Sequence, residues 1–160
     1  MKRLLLDAGL AVKHASLADV EALLKVEDEC FEYPYDRTVF EAMLRSRDCT
    51  ILLAEALGNP IGYVAFDRRG CIGTILSLGV VKRFRCRGIG KYLMSQALRM
   101  LKKAGVQRVV LQVSVKNSAA RHLYESLGFK AERLLRGYYR GREDAILYSL
   151  EYGTLSRKDA

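Results

Sequence analysis

The stretch Val80-Val81-Lys82-Arg83-Phe84-Arg85-Cys86-Arg87-Gly88-Ile89-Gly90 constrains this chain more than any other. An apolar, strand-like run passes through a cationic loop with two glycines and opens directly onto a segment in which Ile89, Leu93, Ala97 and Leu101 recur every four residues, with Leu98 beside them. That recurrence is the pattern of an amphipathic helix, and Gly105 is placed to stop it. A helix start leaves its first amide groups without internal partners at the positive end of the helix dipole. Glycines let a phosphate approach such a backbone closely. Lys82, Arg83, Arg85, Arg87 and Lys91 add five cations with no acid among them. The loop therefore suits a single phosphate-bearing ligand. The Walker pattern is absent, and Leu93 stands where G-x-G-x-x-G needs its third glycine, which disfavours ATP and NAD. A plain glycine-rich turn between strand and helix stays open as the alternative.

The surrounding pattern predicts one α/β domain. The 160 residues suffice for a single core, and neither a repeat nor a linker divides them. Residues 1–9 read as an extension, 10–152 as the domain and 153–160 as a polar tail. A first strand is expected at 10–15. A helix follows, started by Ser16 with Asp19 three positions later, with Leu17, Val20, Leu24 and Val26 on its buried face and its end near Cys30. Pro34 breaks the pattern, and a short helix from about 36 to 45 comes next. Strands at 50–56, 61–67 and 71–81, joined by turns at 58–60 and 68–70, predict an antiparallel meander. The apolar run 109–113 then makes a strand–helix–strand crossover, hence a parallel pair. Asn117 is placed to cap a further helix ending near Gly128, and strands at about 130–135 and 145–152 close the domain.

Arg85-Cys86-Arg87-Gly88-Ile89-Gly90 resembles the Q/R-x-x-G-x-G/A signature of the GCN5-related N-acetyltransferases. Asn117-Ser118-Ala119-Ala120-Arg121-His122-Leu123-Tyr124-Glu125-Ser126-Leu127-Gly128-Phe129 resembles that family's N-x-x-A-x-x-L-Y-E-x-x-G-F stretch, in the right order and at a fitting distance. The resemblance spans roughly residues 10–152. It implies a mixed seven-stranded sheet with about four helices and a wedge opened between the fourth and fifth strands. It implies acetyl-CoA as cosubstrate, with the pyrophosphate on Arg85, Arg87, Gly88, Ile89, Gly90 and Lys91, the pantetheine arm along Leu78 and Val80, and Asn117 and Tyr124 lining the path. Tyr124 would also hand a proton to the departing sulfur.

The protein N-terminal acetyltransferases are the subgroup most resembled. Phe31-Glu32-Tyr33-Pro34-Tyr35 is similar to their L-P-E-N-Y loop, which makes Glu32 the carboxylate facing the acceptor amine through water. Tyr138-Tyr139, followed by Gly141-Arg142-Glu143-Asp144-Ala145, is similar to their Y-Y-x-x-G-E-D-A segment. Phe31, Glu32, Tyr33, Tyr138 and Tyr139 are thus expected to clamp the first residues of a peptide, a ribosomal protein being one possible acceptor. The sequence departs from the bacterial ribosomal-protein enzymes at Gln112, where their general base is a glutamate. An amide does not act as a base at neutral pH, so lysine or small-amine acetylation, and a non-catalytic acyl-CoA-binding module, stay open beside the N-terminal reading.

The remaining features narrow the partners. The net charge of +9 admits nucleic acid, a membrane surface or a small polyanion, but the cations gather in two short clusters, the loop above and Arg133, Arg136, Arg140 and Arg142. No RNA-recognition motif accompanies them, and no apolar run approaches a membrane span. The cysteines, at 30, 49, 71 and 86, lack C-x-x-C spacing and lie far in sequence from both histidines, which argues against zinc and disulfides. The expectation is a cytoplasmic protein with no metal, monomeric or weakly dimeric, taking a protein N-terminus as acceptor.

Overall fold

The computed structural model describes residues 9–153. Along the chain run β1 (Leu10–His14), a 3-10 turn (Leu17–Asp19), α1 (Val20–Cys30), α2 (Arg37–Arg45), β2 (Cys49–Ala56), β3 (Asn59–Arg69), β4 (Ile72–Val80), a second 3-10 turn (Lys82–Phe84), α3 (Ile89–Lys103), β5 (Arg108–Ser114), α4 (Ser118–Ser126), β6 (Lys130–Tyr139) and β7 (Glu143–Glu151). The seven strands form one sheet in the order β1-β2-β3-β4-β5-β7-β6. Four α-helices and a mixed seven-stranded sheet match the expected fold class. Residues 1–8 of the expected extension and 154–160 of the expected tail lie outside the described residues.

The described residues divide into two compact units, one of 9–67 with 75–97, the other of 68–74 with 98–153. In the first, β1 pairs antiparallel with β2 and β2 with β3. Successive strand residues point to opposite faces, and Gly62 and Tyr63 show which helix covers which. A Cβ built at Gly62 would lie 3.5 Å from Leu93 of α3, whereas the Tyr63 ring meets Phe40 of α2 edge-on at 5.6 Å. The chain turns through Leu57 and Gly58, both at positive φ, rather than through the expected 58–60. Pro60 sits inside β3, opposite Glu55, where the register shifts. Proline supplies no ladder donor, and such an irregularity tolerates it.

In the second unit β4 and β5 form the expected parallel pair, in the register Ile72↔Arg108, Gly73↔Val109 and Thr74↔Val110. The antiparallel β5–β7 and β6–β7 ladders complete it. Gly105, at φ 88°, ends α3, and its amide bonds the Lys102 carbonyl. The last hairpin is longer than the sequence suggests. Three residues, Arg140 to Arg142, join its strands, and Arg140 and Gly141 take the left-handed φ of a tight reversal.

The first helix departs from expectation in its inward face. Leu17 is 48% exposed, and Val20, Leu23, Val26 and Glu27 are the buried positions, Leu24 being only half-buried. The Ser16–Asp19 capping box starts a 3-10 turn before the α-helix, and its tighter winding rotates the following residues relative to a helix begun at Leu17. Glu27, seven residues after Val20 on the same helix, shares the buried face, so a carboxylate enters the core.

Candidate active site

The loop that opens α3 belongs to the first unit. Tyr92 donates its N–H to the Gly88 carbonyl at 2.9 Å, so the amides of Ile89, Gly90 and Lys91 precede the helix's own ladder and are free for an anion. Gly88 lies at φ 84° and Cys86 at φ 59°. A non-glycine residue in the left-handed region carries strain, a recurrent feature of ligand-holding loops. Arg85 folds back, its Nε donating to the Val80 carbonyl at 2.8 Å, and ties the loop to the end of β4. Arg83 and Arg87 both lie over the Phe84 ring, 5.3 Å from its centroid. The expected pyrophosphate residues are thus brought together, with Arg85 serving in part as a brace. An open cavity of about 390 Å³ is lined by Ala56, Leu57, Asn59, Arg83, Phe84 and Arg87, and of these only Arg87 was expected to touch the cosubstrate.

β4 leads into that loop, with Leu78 and Val80 half-buried. Gly79 between them allows a close approach. A Cβ there would stand 3.2 Å from the Phe31 ring and 3.3 Å from the Cys30 sulfur. Gly62 is more constrained, since its Cβ would lie 2.9 Å from the Gly79 carbonyl oxygen. Two glycines therefore set the position of β4 where the cosubstrate strand was expected.

The loop 31–36 is anchored at both ends. Phe31 bonds the Glu27 carbonyl through its N–H at 3.0 Å. Asp36 caps α2, accepting the Val39 N–H at 3.1 Å. Between them the Tyr35 N–H donates to Glu27 Oε1 at 2.9 Å, and the Tyr35 ring packs on Phe40 at 6.1 Å. Glu32 and Tyr33 stand exposed on this anchored loop, and Phe31 is half-buried. Glu27, in the last turns of α1, belongs to none of the motifs. It is 2% exposed, and burial pushes its carboxyl above the ordinary range against the opposing effect of the Tyr35 amide and the Tyr63 hydroxyl. Tyr63 donates to Glu27 Oε2 and lies 2.8 Å from Ser77 Oγ. A glutamate spaced three, four and seven residues after Leu24, Leu23 and Val20 is the available signal.

In the second unit Asn117 caps α4, accepting the Ala120 N–H at 3.1 Å. Tyr124, on the inner face of that helix, is 7% exposed and stacks obliquely on Phe129 at 6.0 Å. Burial, with the Tyr139 hydroxyl as a secondary cause, pushes its phenol up to about 12. The phenol therefore stays protonated at neutral pH and is able to donate. Tyr138 and Tyr139 meet edge-on at 5.0 Å at the end of β6, where Asp144 accepts the Gly137 N–H at 2.8 Å. Gln112 pairs with Leu147 of β7 and is half-buried on the face of β5 opposite Leu111 and Val113. Among the described residues no group of three or more His, Cys, Asp and Glu side chains is placed to hold a metal, and no helix is long and apolar enough to cross a membrane.

Residues 20–129 match the model of the "Acetyltransferase (GNAT) family". The N-alpha-acetyltransferase of Sulfurisphaera tokodaii is 30% identical over 149 residues, covering 85% of this chain and 89% of that protein. The [Ribosomal protein bS18]-alanine N-acetyltransferase of Escherichia coli is 30% identical over 138 residues, covering 82% and 90%. In superposition, the crystal structure of the ribosomal-protein-S18-alanine N-acetyltransferase from Escherichia coli overlays with a TM-score of 0.86 at 24% identity, covering 92% of this chain and 97% of that one.

Proposed function

Because the chain belongs to the acetyltransferase (GNAT) family, we propose that it transfers an acetyl group to the α-amine of a protein or peptide N-terminus, ribosomal proteins included. It is an acetyl-CoA-dependent N-acetyltransferase, and the acceptor is the part proposed. One observation carries that part. The paired tyrosines Tyr138 and Tyr139 meet edge-on at the hairpin end, in the same compact unit as buried Tyr124. A tyrosine pair supplies apolar contact with hydrogen-bonding tips, which suits the first residues of a peptide. The names of both relatives at 30% identity point the same way.

In this reading each residue has one task. The amides of Ile89, Gly90 and Lys91, with Gly88 and the cations Arg85, Arg87 and Lys91, hold the pyrophosphate. The backbone at Leu78 and Val80 aligns the pantetheine arm, and Asn117 borders it. Tyr124 Oη gives its proton to the leaving sulfur. A peptide α-amine is largely an ammonium at neutral pH, its ordinary pKa being about 7.7–8.0. Exposed Glu32 draws that cation into the loop and, through water, takes the proton that must leave before attack. Phe31 and Tyr33 flank the first side chain from the same loop.

The test is CoA release from acetyl-CoA with short peptides differing in their first residue, beside free lysine, spermidine and N-terminally blocked controls. Turnover that requires a free α-amine is the expected result. Turnover only with lysine side chains or small amines would move the acceptor to those classes. Tight acetyl-CoA binding without turnover on any acceptor would refute the reading.

A further inference from the structure

Gln112 leaves β5 without the carboxylate expected there, yet transfer needs an acceptor for a second proton. Attack by a neutral amine produces a nitrogen that still carries one proton too many. The first unit holds a buried carboxylate that the reading above does not use. Glu27 of α1 receives the Tyr35 N–H on Oε1 and the Tyr63 hydroxyl on Oε2. Tyr63 of β3 is in turn 2.8 Å from Ser77 Oγ of β4.

The direction of this chain follows from counting protons. An ionised carboxylate only accepts, and a phenol has a single O–H. With that O–H given to Glu27, the Ser77 hydroxyl must donate to Tyr63, which leaves the remaining Ser77 lone pairs facing outward as acceptors. Ser77 is half-buried and shares a face of β4 with Gly79, two residues on. Phe31, at the start of the acceptor loop, lies against that face at Gly79.

We propose that Ser77, Tyr63 and Glu27 form a proton relay for acyl transfer, with Ser77 Oγ as the atom that meets the acceptor nitrogen. The inference rests on the acyl-transfer reading above and is independent of which amine is acylated. The amine nitrogen bonds to the thioester carbonyl carbon. Its surplus proton passes to Ser77 Oγ as the Ser77 proton moves to Tyr63 Oη and the Tyr63 proton to Glu27 Oε2. The carbon–sulfur bond breaks, and the thiolate takes the Tyr124 proton. Glu27 returns its proton along the same path to water when product leaves, and Tyr124 recovers one from solvent. Ser77 touches the reacting atoms, while Tyr63 and Glu27 are positioning residues that set its polarity.

Glu27→Gln separates charge from shape. The Tyr35 N–H cannot invert, so it holds the amide oxygen of the new side chain and turns the NH2 toward Tyr63. Tyr63 must then donate to Ser77, and Ser77 presents its hydrogen to the acceptor instead of its lone pairs.

Ser77→Ala, Glu27→Gln and the double variant would be compared with the intact chain in steady-state kinetics with saturating acetyl-CoA and a reactive peptide. Acetyl-CoA affinity and amide exchange at Tyr35 would be measured alongside. General-base contributions of this kind are typically about 10²–10⁴-fold. The expected result is a kcat loss of about tenfold or more in each single variant. The double variant should be no slower than the slower single variant, since residues acting as one chain are not additive. Acetyl-CoA affinity should stay within about twofold, and Tyr35 protection should be kept in Glu27→Gln. Wild-type kcat in Ser77→Ala, or losses that multiply, would overturn the relay. Ser77→Ala removes only the surface end of the chain and decides the matter if Glu27→Gln does not fold. Should peptides fail as acceptors and spermidine succeed, the N-terminal reading falls and the relay is judged with spermidine. No turnover on any amine would overturn both.

Discussion

Glu27 and Glu32 are the same residue type on one short stretch of chain, yet their surroundings are opposite. Glu27 ends its side chain in the core at 2% exposure, held by donors from a loop and from β3. Glu32, just past the helix end, stands exposed. The exposed glutamate resembles a known motif. The buried one belongs to no local motif, and its partners come from a distant strand and from the loop beyond its helix. A side chain reached by solvent is defined by its neighbours in sequence, whereas a buried charge is tolerated only where the tertiary structure supplies its partners.

That contrast is open to direct measurement. Glu27→Ala leaves the Tyr35 amide and the Tyr63 hydroxyl without their acceptor, and the expected cost is about 3 kcal/mol. That corresponds to a fall in Tm of roughly 6–12 °C. Glu32→Ala should stay within about 0.5 kcal/mol. Equal losses in thermal unfolding would break the comparison.

Next in size is Gly62→Ala, on the buried side. Its Cβ would press on the Gly79 carbonyl from 2.9 Å, and overpacking of this kind costs about 2 kcal/mol. Because the strain falls on β4, acetyl-CoA affinity should drop with stability. A variant that loses Tm but binds acetyl-CoA normally would show that β4 does not hold the cosubstrate.

Glu32→Lys sharpens the exposed side. Reversing the charge should raise the peptide KM about tenfold, close to 1.4 kcal/mol, without moving Tm or acetyl-CoA affinity. An unchanged KM would remove Glu32 from the acceptor site.

The smallest effect is in pH dependence. Burial raises the Glu27 pKa above its unfolded value, so folding holds this proton more tightly than unfolding does. Its contribution is complete below the unfolded pKa and is lost as pH rises through the folded pKa. Tyr35, Tyr63 and neighbouring Asp28 are the groups that act on it. Glu27→Gln cannot titrate, so the stability of wild type relative to this variant should decline as pH rises from about 4. A difference that does not change with pH would mean that Glu27 titrates alike in both states.

Much of this was legible because the signals are local. Asp36 and Asn117 cap their helices through their own following amides, and the glycines at 88, 105 and 128 take the positive φ that turns and helix ends require. The expected loop residues 85–91 are brought together because a strand, a turn and a helix start suffice to do so. Leu17 differs for a local reason of another kind. Its residues wind as a 3-10 turn where the spacing predicts the first turn of an α-helix, which takes Leu17 off the buried face. The strand expected at about 130–135 continues through Tyr138 and Tyr139.

The order of elements, the parallel crossover, the glycine-bearing loop before α3 and the family were determined by the sequence itself, through hydrophobic periods, caps and turn residues that act over a few positions. Only the tertiary structure decided that Glu27, Tyr35, Tyr63 and Ser77 form one connected group. Their separations of 36 residues between Glu27 and Tyr63 and 14 between Tyr63 and Ser77 are bridged by strand order and by a helix laid across the sheet. A hydrogen bond between such residues depends on register and packing, which no short pattern in the chain encodes.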